Sequence, residues 1–101
     1  RVSSVVCWFH AHGLQTLARL HESVGNTGAA HDYGREAARV ADAAHRTFWD
    51  ADADCYREYP LGTPDNPVAG QLTHALAVLY GNAPESAATR MLSHPDALEP
   101  E

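Results

Sequence analysis

Apolar residues recur at steps of three and four through the first half of the chain, and this spacing is the period of an α-helix. Over residues 5–24 the stripe consists of Val6, Phe9, Leu17, Leu20 and Val24, with Gly13 among them. Ser3 and Ser4 precede it as residues that favour a helix N-cap, and Gly25-Asn26 follows it as a left-handed stop signal. We therefore predict a first helix over residues 5–24.

A second apolar stripe has the same period over residues 29–48. Its members are mostly small or aromatic: Ala30, Tyr33, Ala37, Val40, Ala44 and Phe48. Only residues 26–28 separate the two stripes, and such short connections join antiparallel neighbours. The sequence predicts an antiparallel helical hairpin over residues 5–48, with an alanine-rich seam that lets a neighbour approach closely.

The pattern breaks over residues 50–70, where Pro60, Pro64 and Pro67 exclude a long helix and predict a loop. Residues 71–80 are apolar nearly all round, which is typical of a buried helix. A shorter helix over 84–92 is expected to complete a second hairpin, 71–92.

The predicted fold class is therefore all-α, in a single unit. The inward stripes predict that these side chains are buried together: Phe9, Leu17, Val40, Phe48, Leu72, Leu76 and Leu79.

Composition and charge limit the classes of partner. The 101 residues leave room for one small domain, or for a segment of a larger one, and carry a formal charge of −6. That charge repels nucleic acid phosphates and anionic lipids, so neither a nucleic acid nor a membrane is expected as partner. We see no targeting segment, and localisation stays open. Cys7 and Cys55 favour two free thiols over a disulfide, because small secreted scaffolds are denser in cysteine.

Two segments resemble the first part of a metal-binding motif, but neither motif is complete. His21-Glu22 opens like the zinc-protease motif HExxH, but Gly25 stands where the second histidine must be. Alternate aspartates over residues 50–54 copy the first ligands of a calcium loop, whereas Cys55 and Leu61 replace its glycine and its bidentate glutamate. We predict no metal and no cofactor.

The segment from Phe48 to Tyr59 collects carboxylates beside aromatic rings, a combination that suits sugar binding because flat rings stack and acids can transfer protons. The alternative is structural. Phe48 and Trp49 would then fill the bottom of the second hairpin, with the carboxylates solvated.

Two blocks of sequence resemble the six-hairpin domain of bacterial α-L-rhamnosidases, and the similarity covers most of the chain. The first is Ala29-Ala30-His31-Asp32-Tyr33 with Ala37 and Ala41, then Phe48-Trp49-Asp50 followed by Tyr56. The second runs Gln71-Leu72-Thr73-His74-Ala75-Leu76-Ala77-Val78-Leu79-Tyr80-Gly81. The Phe-Trp-Asp block is also similar to other (α/α)6 glycosidases such as trehalases and fucosidases. In the turn after it, Asp54-Cys55 replaces a glycine that usually stands there.

The resemblance implies a partial (α/α)6 barrel from an inverting glycoside hydrolase that cleaves terminal rhamnosides and needs no cofactor. Two carboxylates about 6.5–9.5 Å apart would perform that chemistry. The family's acid and base motifs match no residue here, so the catalytic residues are unknown and the isolated chain is expected to be inactive. The third helix would be inner and the second outer, with the carbohydrate over the N-terminal ends of the inner helices.

In that frame the substrate-binding residues would be Gln71 and His74, at the start of the third helix, and Glu58 and Tyr59, in the loop above. Two structural alternatives stay open: His74 as a core histidine with satisfied nitrogens, and Gln71 as a helix-start hydrogen-bonding residue. Open flanks of the fragment also predict self-association. The alternative function is a small helical protein-interaction or structural module without enzymatic activity.

Overall fold

The computed structural model describes residues 2–79, which are mostly helical. The elements are α1 (Ser4–Ser23), α2 (Thr27–Phe48), β1 (Trp49–Asp50), β2 (Cys55–Tyr56) and α3 (Gln71–Leu79). The first three predicted helices are confirmed to within two residues at each end. The helix predicted over 84–92 lies outside the described residues.

The turn between α1 and α2 has the predicted stop signal. Gly25 has φ +83°, a left-handed conformation that glycine adopts without steric cost. The Gly25 N–H donates to the Glu22 carbonyl at 3.1 Å and the Asn26 N–H to the His21 carbonyl at 2.8 Å. These bonds satisfy the last carbonyls of α1, and α2 returns antiparallel along it.

A short β-hairpin that the sequence did not predict follows α2. Trp49 pairs with Tyr56, and Asp50 pairs with Cys55, in antiparallel register. Asp54 ends the intervening turn with φ +55°. An aspartate tolerates this left-handed conformation, which glycine more often adopts in a turn.

The rest of the predicted loop is hydrogen-bonded to both helices. The Ser4 N–H, at the start of α1, donates to the Glu58 carbonyl at 2.7 Å. The Leu61 N–H donates to the Thr47 carbonyl, at the end of α2, at 3.0 Å. Because α3 begins at Gln71, directly after the loop, α1 and α3 both start at the loop and α2 ends there.

The core lies between α1, α2 and the start of α3. Its largest fully buried apolar side chains are Trp8, Tyr56 and Phe48. Around them pack small residues, among them Ala11, Ala41, Ala44, Ala69 and Ala77. Small side chains let helix backbones approach closely, and Ala37 and Ala44 of the predicted α2 seam are buried.

Part of the predicted core is wrong. Val40, Phe48 and Leu76 are buried as expected, whereas the exposed fractions of four others are 50% for Phe9, 40% for Leu17, 52% for Leu72 and 65% for Leu79. In α1 the buried face is instead the one with Trp8, Ala11 and Ala18. The alanines on this face are small, like the buried alanines of α2. Trp8 packs edge-on against Tyr56 of the hairpin.

We call Val6, Phe9, Leu17, Leu20 and Val24 the α1 apolar stripe; all five side chains are exposed. At about 100° per residue the stripe lies on the side of α1 opposite Trp8 and Ala11. Gly13 lies within it, and a Cβ added there would have no neighbouring atom within 4 Å. The helix is therefore apolar on two opposite faces, although a helix at the surface of a small domain needs only one.

Candidate functional site

Four rings surround the buried side chain of Tyr56 where the β-hairpin meets α1, α2 and α3. The distances from its ring centroid are 4.9 Å to Trp49, 5.6 Å to Trp8, 5.6 Å to His45 and 5.7 Å to His74. We call these five residues the Tyr56 cluster. Each element supplies at least one member, so the cluster joins the elements of the described chain.

The polar end of Tyr56 is bonded to His45. The phenol hydroxyl and Nδ1 of His45 form a hydrogen bond at 2.6 Å, and Trp49 stacks on the imidazole with ring centroids 5.5 Å apart. Burial lowers the pKa of His45 and raises the pKa of Tyr56, since both charged forms would lose hydration. Both groups are therefore neutral at neutral pH.

His74 is buried, and both of its ring nitrogens bond the backbone. The Tyr56 N–H donates to Nε2 at 3.1 Å, and Nδ1–H donates to the Gly70 carbonyl at 3.0 Å. Since an amide N–H can only donate and a carbonyl can only accept, this arrangement requires the neutral Nδ1–H tautomer. The geometry matches the alternative of a core histidine, and contact between His74 and a sugar stays a prediction.

Glu58 and Tyr59 lie in a backbone-bonded part of the loop, and both are half-buried. The Glu58 N–H donates to the Pro67 carbonyl at 2.9 Å. Asn66 holds Tyr59 from both sides: its Oδ1 accepts the Tyr59 N–H at 2.9 Å, and its Nδ2 donates to the Tyr59 carbonyl at 2.7 Å. Asn66 is a site residue that the sequence did not single out; the available signal was an asparagine before proline in a turn-rich segment.

Gln71 is exposed at the first residue of α3. His74, three residues later, is 1% exposed. The two side chains therefore do not share an environment, although both lie in the first turn of the helix. The structure connects His74 to the loop through Tyr56, which is two residues before Glu58.

Asp50 stabilises the β-hairpin. Its Oδ1 accepts the backbone N–H groups of Asp52 and Ala53, and its Oδ2 accepts Nε–H of Arg57 at 3.0 Å. The bond from Arg57, followed by that from the Ala53 amide, lowers the pKa of the Asp50 carboxyl. Asp50 thus stays ionised and is unsuited to protonating a leaving group.

A cleft of about 370 Å³ lies along α1 and α2, and none of the predicted site residues lines it. Its lining is largely apolar and includes Cys7, His10 and Arg39. Burial raises the pKa of the Cys7 thiol, which keeps the sulfur protonated and weakly nucleophilic. Arg39 is ion-paired with Glu36 on the same helix.

Among the described residues, the thiols and acidic side chains form neither a disulfide nor a metal-binding group. No disulfide joins Cys7 to Cys55, in agreement with the sequence-based expectation. Over residues 2–79 we find no group of three or more histidine, cysteine or carboxylate side chains that could hold a metal ion. In the same residues, no helix has the length and apolar content to cross a membrane.

Comparison with known proteins gives no match: no family model, no curated protein and no solved structure is significantly similar to this chain. A function can therefore be argued only from the residues themselves, from the two sequence blocks described above and from the geometry of the loop end.

Proposed function

We propose that this chain is a wall segment of a six-hairpin glycoside hydrolase domain of the α-L-rhamnosidase kind. In the complete domain it contributes barrel wall and the substrate-side loop to the inverting hydrolysis of terminal rhamnosides. The isolated segment is inactive, because the acid and base come from other parts of the domain.

The observation that carries the proposal is the pair of opposite apolar faces on α1. One face packs on α2, α3 and the β-hairpin, while the α1 apolar stripe on the other face is exposed. A helix that is apolar on both sides suits an inner layer with neighbours on each side. That is the position of an inner barrel helix, and it favours a larger helical assembly over a finished small domain.

The directions of the helices support the same arrangement. Both α1 and α3 begin at the loop, and α2 returns to it, as alternating inner and outer helices of a barrel would. The side chains of Gln71, Glu58 and Tyr59 then lie at the end where the carbohydrate would bind. His74 would contribute indirectly, because it accepts a hydrogen bond from the backbone N–H of Tyr56.

The carboxylates of this segment fit a supporting role. The acid of an inverting enzyme must carry a proton at the working pH, and its partner must activate a water molecule. Asp50 is held ionised by Arg57, and the loop backbone on both sides of Glu58 is fixed by hydrogen bonds. Glu58 therefore orients substrate in this proposal and transfers no proton.

The test uses the complete protein encoded around this segment. We expect it to hydrolyse an aryl α-L-rhamnoside with inversion at the anomeric carbon, followed by NMR of the first-formed sugar. Gln71→Ala should lower kcat/KM, because a contact in the sugar pocket is lost. Arg46→Ala, which removes an exposed ion pair with Asp42 on α2, is the matched control and should leave kcat/KM unchanged.

A folded complete protein that fails to hydrolyse aryl rhamnosides would refute the proposal, as would retention of configuration. The exposed α1 apolar stripe also favours a second candidate, a helical interaction module that binds another protein. That alternative requires the flanking sequence to lack further helical hairpins and an acidic catalytic motif.

A further inference from the structure

Two stretches of the loop, residues 56–59 and 66–69, lie side by side in antiparallel directions. Three backbone contacts join them: the Ala69 N–H to the Tyr56 carbonyl at 2.9 Å, the bridge between Arg57 and Val68, and the Glu58 N–H to the Pro67 carbonyl at 2.9 Å. Each contact lies one residue further along both stretches, as in an antiparallel ladder. We call this pairing the loop ladder; it closes residues 60–65 into a compact turn.

Asn66 adds the next contact of the loop ladder, and it does so with its side chain. Its Oδ1 accepts the Tyr59 N–H at 2.9 Å, and its Nδ2 donates to the Tyr59 carbonyl at 2.7 Å and to the Pro60 carbonyl at 3.2 Å. A side-chain amide carries an acceptor oxygen beside two N–H donors, so it can bond both backbone groups of one residue. One side chain therefore fixes the N–H and the carbonyl of Tyr59.

The backbone of Glu58 is fixed by α1. Pro67, its neighbour in the loop ladder, has no N–H to donate. The Glu58 carbonyl instead accepts the N–H of Ser4, the first residue of α1, at 2.7 Å. Asn66 and α1 thus hold two successive loop residues, and these are the two that the proposed function assigns to the sugar-binding site.

Arg57 connects Asn66 to the β-hairpin. The Arg57 Nε–H donates to Oδ2 of Asp50 at 3.0 Å, and its Nη1 donates to the Asn66 backbone carbonyl at 3.4 Å. The side chains of Arg57 and Asp50 are each 25% exposed, so this ion pair is partly shielded from water. Asn66 is therefore held through its backbone while its side chain holds Tyr59.

We propose that Asn66 is a positioning residue of the sugar-binding site, which fixes the backbone of Tyr59 so that residues 58 and 59 are presented to the substrate in a preformed loop. This role rests on the proposed function. It gives Asn66 no contact with the sugar and no part in proton transfer. Because the bonds of Asn66 exist before substrate arrives, binding does not cost the entropy of ordering the loop.

The test compares two asparagine-to-alanine variants of the complete protein encoded around this segment, assayed with an aryl α-L-rhamnoside. Asn66→Ala removes the side-chain bonds to Tyr59 and Pro60. We expect KM to rise about 10-fold, the equivalent of one lost hydrogen bond to the sugar, with kcat within about twofold of the wild type. Asn26→Ala makes the same change in the turn after α1, at the other end of that 20-residue helix, and should alter neither constant.

A merely structural role of Asn66 would give a different kinetic result. Partial unfolding reduces the amount of active protein, which lowers the apparent kcat and leaves KM unchanged. Hydrogen exchange in the 101-residue chain measures the bonds themselves. We expect protection of the Tyr59 amide to fall about 10-fold in Asn66→Ala and to stay at the wild-type level in Asn26→Ala. In the wild type, one side-chain amide proton of Asn66 should also exchange slowly.

The outcomes separate this inference from the proposed function. A folded wild type that does not hydrolyse aryl rhamnosides refutes both. An active wild type whose KM is unchanged in Asn66→Ala refutes the positioning role alone, as does a fall in kcat without a rise in KM. Fast exchange of both Asn66 side-chain amide protons in the wild type would refute the bonds to Tyr59, and this measurement does not depend on any variant folding.

Discussion

Tyr56 is held through its hydroxyl, its ring and its backbone, each by a different element. The hydroxyl bonds His45 of α2, the ring lies edge-on to Trp8 of α1, and the N–H bonds His74 of α3. A single residue in the β-hairpin thereby contacts all three helices and helps to fix their relative positions. The bonds are also directional, so they specify orientation in a core where alanines provide mainly close approach.

Removing the hydroxyl isolates one of these contacts. Tyr56→Phe keeps the ring and leaves the half-buried Nδ1 of His45 without its hydroxyl partner, so we expect the free energy of unfolding to fall by about 1 kcal/mol. Urea unfolding followed by circular dichroism measures the change. Tyr33→Phe is the control, because Tyr33 contacts His21 through ring stacking, which phenylalanine preserves. Equal losses in both variants would contradict the importance of the His45 bond.

At the same scale, the sequence predicted some site residues better than others. The resemblance singled out Tyr56 and His74, and both are central to the structure. Their partners could not be predicted, because the contact of His74 with the Tyr56 amide joins residues 18 positions apart and depends on the unpredicted β-hairpin. Asn66 was missed for a similar reason: its bonds to the Tyr59 backbone exist only once the loop has closed.

Among the elements, the helices were predictable and the packing face of α1 was not. The period of three and four residues and the stop signals gave the bounds of α1, α2 and α3. Periodicity alone selects the larger apolar side chains as the inward face, which led to Phe9 and Leu17. The choice of the Trp8 face depends on α2, whose alanines leave room for close approach, and on the edge-on contact between Trp8 and Tyr56 of the β-hairpin.

The two leucines of α3 provide a matched pair for testing how that helix packs. Leu76→Ala removes a buried side chain and should lower the free energy of unfolding by about 2–5 kcal/mol. Leu79→Ala makes the same chemical change at an exposed position on the same helix and should cost less than about 0.5 kcal/mol. Denaturant unfolding of both variants checks this, and a loss at Leu76 no larger than at Leu79 would contradict the described burial.

A second matched pair tests the alanine seam of α2. Ala41 is 3% exposed against α1, so Ala41→Leu must push the helices apart, and we expect a loss of about 1–3 kcal/mol. Ala38 is exposed on the same helix, and Ala38→Leu should be close to neutral. Thermal unfolding distinguishes the two variants. If leucine were equally well tolerated at both positions, the helices could not be in the close contact seen here.

For the whole molecule, the exposed apolar surface matters more than any single contact. The α1 apolar stripe extends along most of a 20-residue helix, and the exposed Leu72 and Leu79 add to the apolar surface on α3. Contiguous apolar surface of this kind marks interaction sites or promotes aggregation. The proposed barrel would cover it with neighbouring hairpins, and the isolated chain has to expose it to water.

We therefore predict that the isolated chain self-associates through this surface. Sedimentation velocity should show a mass that rises with concentration, and a Leu17→Gln, Leu20→Gln double variant should reduce the association while keeping its helix content. Leu61→Gln changes an exposed leucine in the loop, outside the stripe, and should leave the association unchanged. A strictly monomeric wild type at high concentration would contradict the prediction and favour an independent module.

A substitution at Gly13, in the middle of the stripe, can distinguish an effect on the folding of the isolated chain from an effect on its packing against a neighbouring helix. Gly13→Ala has open space around it and removes the entropic cost of a mid-helix glycine, so it should raise the stability of the isolated chain by about 0.5–1 kcal/mol. A glycine also permits another backbone to come closer than any side chain would allow. If a neighbouring helix crosses α1 there, the methyl group that stabilises the lone chain in thermal unfolding should weaken the complete protein. In that case the glycine lowers the stability of the isolated chain and in return permits close contact between α1 and the neighbouring helix.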